Sequence, residues 1–246
     1  PATPTPTPTP STFAPYVSPN YGPVTTSTVS IIGPAGSNFT SATAVYVNGV
    51  RMIHVVRSDQ RVEFTMQPGT PGAVVDVVLV KASGPITFPL AYTFEAVTIR
   101  TLNPNTGGVL TTTSGITISV PPQSRASQPR LASGMVITYA PAQSPANVPG
   151  DVLMRTFDLH ATLGGAALVS VTQPLRMNIR VNELVMPAGQ LPWLYEWTPS
   201  DQWALVPGQS YDPQTGVVTA STNRFGTYVL VTADLQRLWL PQIRLR

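Results

Sequence analysis

Cysteine is absent from the 246-residue chain, which excludes a disulfide scaffold, a thiolate metal site and a cysteine nucleophile. The absence fits a cytosolic protein and a bacterial exported one equally well. Charge is scarce: Asp, Glu, Lys and Arg make up 10% of the residues, against about a quarter in an ordinary soluble domain. Lysine occurs once, at Lys81, and the other thirteen of the fourteen basic residues are arginines scattered from Arg51 to Arg246. Nucleic acid requires a clustered basic footprint, which a dispersed net charge of +3 does not supply, so nucleic acid is excluded as a partner. No stretch approaches the ~20 consecutive apolar residues of a membrane helix, and no transmembrane segment is expected.

Catalytic vocabulary is thin as well. Only two histidines occur, His54 and His160. Asp158 precedes His160 by two positions, which on a strand places both on one face. No G-x-S-x-G nucleophile turn accompanies them. A metal site built from the histidines with Asp151 or Asp158 has no ligand spacing behind it. The eleven carboxylates are spread along the chain, and no pair stands out for acid–base chemistry. The chain is read as a non-enzyme that needs no cofactor.

What the chain does contain is Thr, Pro, Val and Ala in abundance. Many β-branched residues with little charge indicate an all-β protein with a hydroxyl-rich surface. It opens with "PATPTPTPTPSTFAP", four Thr-Pro pairs in which each proline fixes φ and removes a donor, so residues 1–15 read as an extended polyproline II tail. Pro1 is not a translation start, so a processed or trimmed product is expected. Thr-Pro stalks are common on exported proteins, where threonines such as Thr5, Thr7 and Thr9 carry sugars. The expected location is outside the cell or on its surface.

After the tail, short apolar runs alternate with Gly, Pro and Asn. Strands are expected at Val29–Ile32, Ala44–Val47, Met52–Arg57, Arg61–Met66, Val74–Val80 and Ile86–Phe94. Asn48-Gly49 is a strong hairpin signal between two of them. "AVVDVVLV" is apolar on both parities apart from Asp76 and reads as a strand covered on two sides. Further runs follow: "GITISVPP", "MVITYAP", "DVLMRTFDLHAT", "LRMNIRVN", "LPWLYEWTPSDQWALVPG", "GVVTAST" and "FGTYVLVTA". The expected fold class is all-β, two consecutive antiparallel β-sandwiches over residues 16–95 and 97–234.

Residues 16–95 resemble an IPT/TIG domain. The resemblance rests on Pro19 and Gly22, Gly33, Asn38-Phe39, Asn48-Gly49, the Pro68-to-Gly72 turn and the closing Tyr92-Thr93-Phe94, in that order. It implies an immunoglobulin-like fold of the kind found in bacterial surface proteins, serving as a spacer or interaction module. The "GPAG" before Ser37 is a longer loop than the family's usual one. Residues 97–234 are similar to bacterial ZU5-like surface domains, through the strand leading to Val120-Pro121-Pro122 and the tryptophan hairpin. Some such domains cleave themselves at a His-Phe-Ser. Here that stretch is Arg224-Phe225-Gly226, which lacks both the nucleophile and the base, so a plain strand packing Phe225 and Tyr228 is expected.

Two segments are singled out for function. In "PWLYEWTPSDQW", strand periodicity puts Trp193, Tyr195 and Trp197 on one face, with Leu194 and Glu196 on the other. The row either stacks on polysaccharide rings, or anchors a neighbouring subunit, or fills the second core with Trp203 returning beside it. Residues 235–246 form an apolar, extended C-terminal tail in which Pro241 blocks a helix. Leu238, Trp239, Leu240, Ile243 and Leu245 there need a groove, in their own domain or in another copy. Asn38-Phe39-Thr40 is the only N-glycosylation sequon, and its asparagine is also read as a structural residue whose side chain bonds to backbone.

These features lead to an expected subunit of an extracellular bacterial filament or surface layer. Pro4, Pro6 and Pro8 at one end and the apolar strand at the other make head-to-tail contacts with further copies. The alternative is a monomeric surface module for carbohydrate binding or adhesion through Trp193, Tyr195 and Trp197.

Overall fold

The computed structural model describes residues 14–123, 134–143, 148–150, 152–181, 186 and 189–234. The chain is an all-β sandwich protein. Among the described residues the helical structure is a single 3₁₀ turn at Phe39–Ser41. Strands are numbered β1 to β21 in chain order.

Four sheets form two layered pairs. In the first pair, one sheet has the antiparallel order β1 (Tyr16–Ser18), β3 (Ser27–Ile32), β7 (Arg61–Met66), β6 (His54–Ser58). Facing it lie β2 (Tyr21–Pro23), β9 (Gly84–Glu95), β8 (Val74–Lys81), β4 (Ala42–Val47) and β5 (Val50–Met52). β2 is three residues long and runs parallel to β9. Alternation builds the core. In β7, Val62, Phe64 and Met66 are buried while Arg61, Glu63 and Thr65 face outward. They meet Val29, Ile31, Val45, Val77 and Leu79 in one cluster.

The second pair begins at β10 (Thr98–Leu102). Its larger sheet runs β10, β13 (Met135–Pro141), β14 (Val152–Leu163), β21 (Gly226–Asp234), β17 (Gln190–Trp197), β18 (Trp203–Leu205), with β15 (Ala166–Leu168) added to β14. Opposite are β11 (Gly108–Thr111), β12 (Ile116–Val120), β16 (Ser170–Arg180), β20 (Val217–Arg224) and β19 (Ser210–Asp212). Ile116, Ile118, Met177, Phe157, Leu194, Phe225, Tyr228 and Leu230 share its core.

Local chemistry explains most of these elements. Asn48 and Gly49 have φ of 45° and 78°, the double left-handed conformation of a tight hairpin turn, and Val47 faces Val50 across it. The run expected as one strand over Met52–Arg57 is two, β5 in one sheet and β6 in the other. The chain changes sheets at Ile53, which is 75% exposed.

β8 is also corrected. Val75, Val77 and Leu79 are buried, but Val74 is exposed, Asp76 faces outward and Val78 and Val80 are only half-buried, so one face of the strand lies in the core and the other does not. Asp76 has a local task there. The register shifts between Val75 and Val77, leaving Leu90 of β9 at a φ of 50°, and the Asp76 carboxylate accepts the Leu90 N–H at 2.7 Å. An aspartate inside an apolar strand thus holds a bulge in its neighbour.

Candidate functional site

Two places combine unusual chemistry with defined geometry: the junction between the sandwiches and an aromatic face on the second one.

The junction starts from Glu95, the last residue of β9, and Arg155 in β14. Both lie in otherwise apolar runs, and both are buried, with side-chain exposures of 1% and 0%. A register shift between Leu153 and Arg155 turns Met154 into the core and sets Arg155 opposite Leu230. There Arg155 Nη2 lies 3.3 Å from Glu95 Oε1, and its guanidinium carbon sits 3.7 Å from the Tyr21 ring centroid. Tyr139 donates its hydroxyl to the other Glu95 oxygen at 2.9 Å.

Burial works against the Arg155 charge, but the Glu95 carboxylate and the Tyr139 and Tyr21 side chains together outweigh it and hold its pKa above that of an ordinary arginine. Burial, reinforced by the Glu95 charge, pushes the Tyr139 hydroxyl well above the usual tyrosine range. Around this cluster the backbones join directly. Ser18 donates its hydroxyl to Leu153 O at 2.9 Å, and the Asn20 N–H donates to Met154 O at 3.1 Å. A cation held by a carboxylate and an aromatic face, in contact with residues from both sandwiches, seals them together.

The aromatic face lies farther along the larger sheet. In β17, Leu194 is fully buried and belongs to the core. Trp193, Tyr195 and Trp197, on the opposite parity, are half-buried and stand outside that cluster. The core-filling reading of these rings is therefore corrected. Leu194 fills the core, and the larger rings cover the sheet's outer side.

Cross-strand register extends the face. Trp193 faces Val231 and Tyr195 faces Val229 on β21, while Leu205 and Trp203 of β18 face Tyr195 and Trp197. Trp197 and Trp203 pack edge to face with centroids 4.9 Å apart. Partial burial raises the Tyr195 pKa. The indole N–H groups of Trp193 and Trp203 find no acceptor among the described residues.

Other expected sites divide clearly. Pro4, Pro6, Pro8, Thr5, Thr7, Thr9, Leu238, Trp239, Leu240, Ile243, Leu245 and Asp151 lie outside the described residues. Asn38 is exposed with φ of 54° and makes no side-chain cap. Its side-chain oxygen accepts the Thr40 hydroxyl at 3.4 Å rather than a backbone N–H. The conformation, which asparagine tolerates better than most residues, is what the turn uses. Asp158 accepts the Thr227 hydroxyl at 2.6 Å and His160 is exposed. Among the described residues no three His, Asp or Glu side chains gather as a metal site. Phe225 and Tyr228 pack in the core, and Tyr228 donates to Arg224 O at 2.7 Å.

Sequence reasoning missed Glu95, Arg155, Tyr21 and Tyr139 as a group. Its available signal was a lone charge inside each of two apolar strands, "YTFE" and "LMRTF", since such charges are paired when buried. No protein-family model matches the chain, and no curated protein matches it.

Proposed function

We propose that this chain is a structural subunit of an extracellular bacterial filament or surface layer, built from an IPT/TIG-like and a ZU5-like sandwich and joined head to tail through its two terminal segments. The sealed junction is the observation that carries this reading. A spacer that transmits position along a polymer needs its units fixed to each other, and a buried ion pair with direct backbone bonds across the boundary does that. An independent domain pair would instead present a polar, separable interface.

A second feature supports assembly. β5 and β6 are outer strands of the two facing sheets, and Val50 of β5, Val55 of β6 and Ile53 between them are 60%, 48% and 75% exposed. Natural proteins seldom leave an apolar edge uncovered, and an extended apolar strand from another copy is the kind of partner that fits one. The test is sedimentation velocity of the natural chain beside one carrying aspartate at Leu238, Leu240 and Ile243. Large species for the first and a monomer for the second are expected. A natural chain that stays monomeric at every concentration contradicts the proposal.

The aromatic face supports a second reading, a surface module that binds polysaccharide. Its carrying observation is that Trp193, Tyr195 and Trp197 form a half-buried aromatic row outside the core, on the outer side of the sheet. Sugar rings stack on such faces. Tryptophan fluorescence that shifts on adding polysaccharide, and no longer does in Trp197→Ala, supports it. An unchanged spectrum across a polysaccharide panel removes it.

A further inference from the structure

The aromatic face on β17 and β18 has a partner of matching chemistry in the chain itself. Trp193, Tyr195, Trp197 and Trp203 are half-buried, and Leu205 at the outer edge of their sheet is 43% exposed. No charge of these two strands belongs to the face. Glu196, their one charged residue, is on the opposite parity and lies 3.7 Å from Arg224. A sugar site sets a few polar groups beside its rings to fix the ligand's orientation. A row of rings and aliphatic groups without them suits an apolar, uncharged partner.

Residues 1–13 have that chemistry. They contain five prolines and no charged side chain. Aromatic-lined surfaces recognise such segments in the polyproline II form, whose backbone is restricted before it docks. The C-terminal residues 235–246 fit less well, because they carry Arg237, Arg244 and Arg246 and the face has no carboxylate to meet them.

The segment also starts close by. Ser18 donates its hydroxyl to Leu153 O at 2.9 Å, Leu153 lies opposite Val231, and Val231 lies opposite Trp193. Two strand spacings of about 4.8 Å therefore separate Leu153 from Trp193. With the four residues from Ser18 back to Ala14, the path from Ala14 to Trp193 is about 30 Å at its longest. Residues 1–13 span ~40 Å as polyproline II, which leaves roughly the length of the Trp193–Trp197 row. A tether this short sets an effective concentration in the millimolar range, so even a weak contact is populated.

We infer that the aromatic face is the docking site of the chain's own Thr-Pro segment, whose proline rings stack on Trp193, Tyr195 and Trp197. Exchange of the segment between copies keeps the same contact in a head-to-tail assembly, so the inference stands whether or not the chain polymerises.

The chain has no cysteine, so Thr5→Cys gives a single site for a nitroxide label. The carrier is the full chain with aspartate at Leu238, Leu240 and Ile243, which keeps this test apart from assembly. NMR follows the indole N–H signals of Trp193, Trp197 and Trp203 with the label oxidised and then reduced. These signals are expected to lose most of their intensity to the label on the same chain. They should recover when Pro4, Pro6, Pro8 and Pro10 are all replaced by serine, which keeps the tether but not the rings or the restricted backbone.

Signals untouched by the label overturn the inference, as do signals lost equally after the serine substitutions. Loss only when the label sits on a second, isotopically silent copy also overturns it and makes another molecule the occupant. A polysaccharide that shifts these indoles while the label leaves them unchanged returns the face to sugar recognition.

Discussion

Removing the Arg155 guanidinium would leave the Glu95 carboxylate buried with only the Tyr139 hydroxyl to support it. Uncompensated buried charge is costly, and Arg155→Met is expected to destabilise the protein by about 3–5 kcal/mol in urea denaturation. Arg155→Met combined with Glu95→Gln should recover most of that loss, because the remaining amide is neutral and still accepts from Tyr139. A double variant as unstable as the single one would mean that packing, not charge, holds the junction.

The buried tyrosines set a pH limit. Burial raises both Tyr92 and Tyr228 from 10.0 to about 12, so the folded chain keeps protons that the unfolded chain releases. Their stabilisation is fully present below pH 10 and is lost as pH rises toward 12. A Tm flat on the neutral side of pH 10 and falling steeply above it is the expected profile. A Tm that holds through that alkaline range would contradict the burial of these hydroxyls.

Among the elements, β17 makes the sharpest test of orientation. Leu194 lies in the core, so Leu194→Ala should cost about 2–5 kcal/mol. Trp197 is larger but outward and half-buried, and Trp197→Ala should cost only about 1 kcal/mol. If thermal denaturation showed the tryptophan to be the more costly loss, the sheet would face the other way.

The alternation in "WLYEW" made the two faces of this strand legible from sequence, but period 2 reads the same whichever face is buried. That choice is made by the opposing sheet, through residues far away such as Met177 and Val218. Asn48-Gly49 was legible because its turn is a local property of two residues. β2 was not. Its three residues form a strand only because β9 lies alongside. β8 misled for the opposite reason: its valines satisfy β-branched preference on both faces, while burial comes to one of them.

At the scale of the whole molecule, the sandwich class followed from many short runs, each bounded by turn residues. The junction did not, since Glu95 and Arg155 lie sixty positions apart and only the fold brings them together. That junction makes two small cores into one unit, which is what a repeating subunit requires. The apolar β6 edge and the tryptophan face are two surfaces that such a unit offers to its surroundings.

The most direct test of this account is negative-stain electron microscopy of the natural chain beside a version ending at Asp234. Filaments or sheets from the first and separate particles from the second are the predicted result. Dispersed particles in both would contradict the structural reading and leave sugar recognition as the role to pursue.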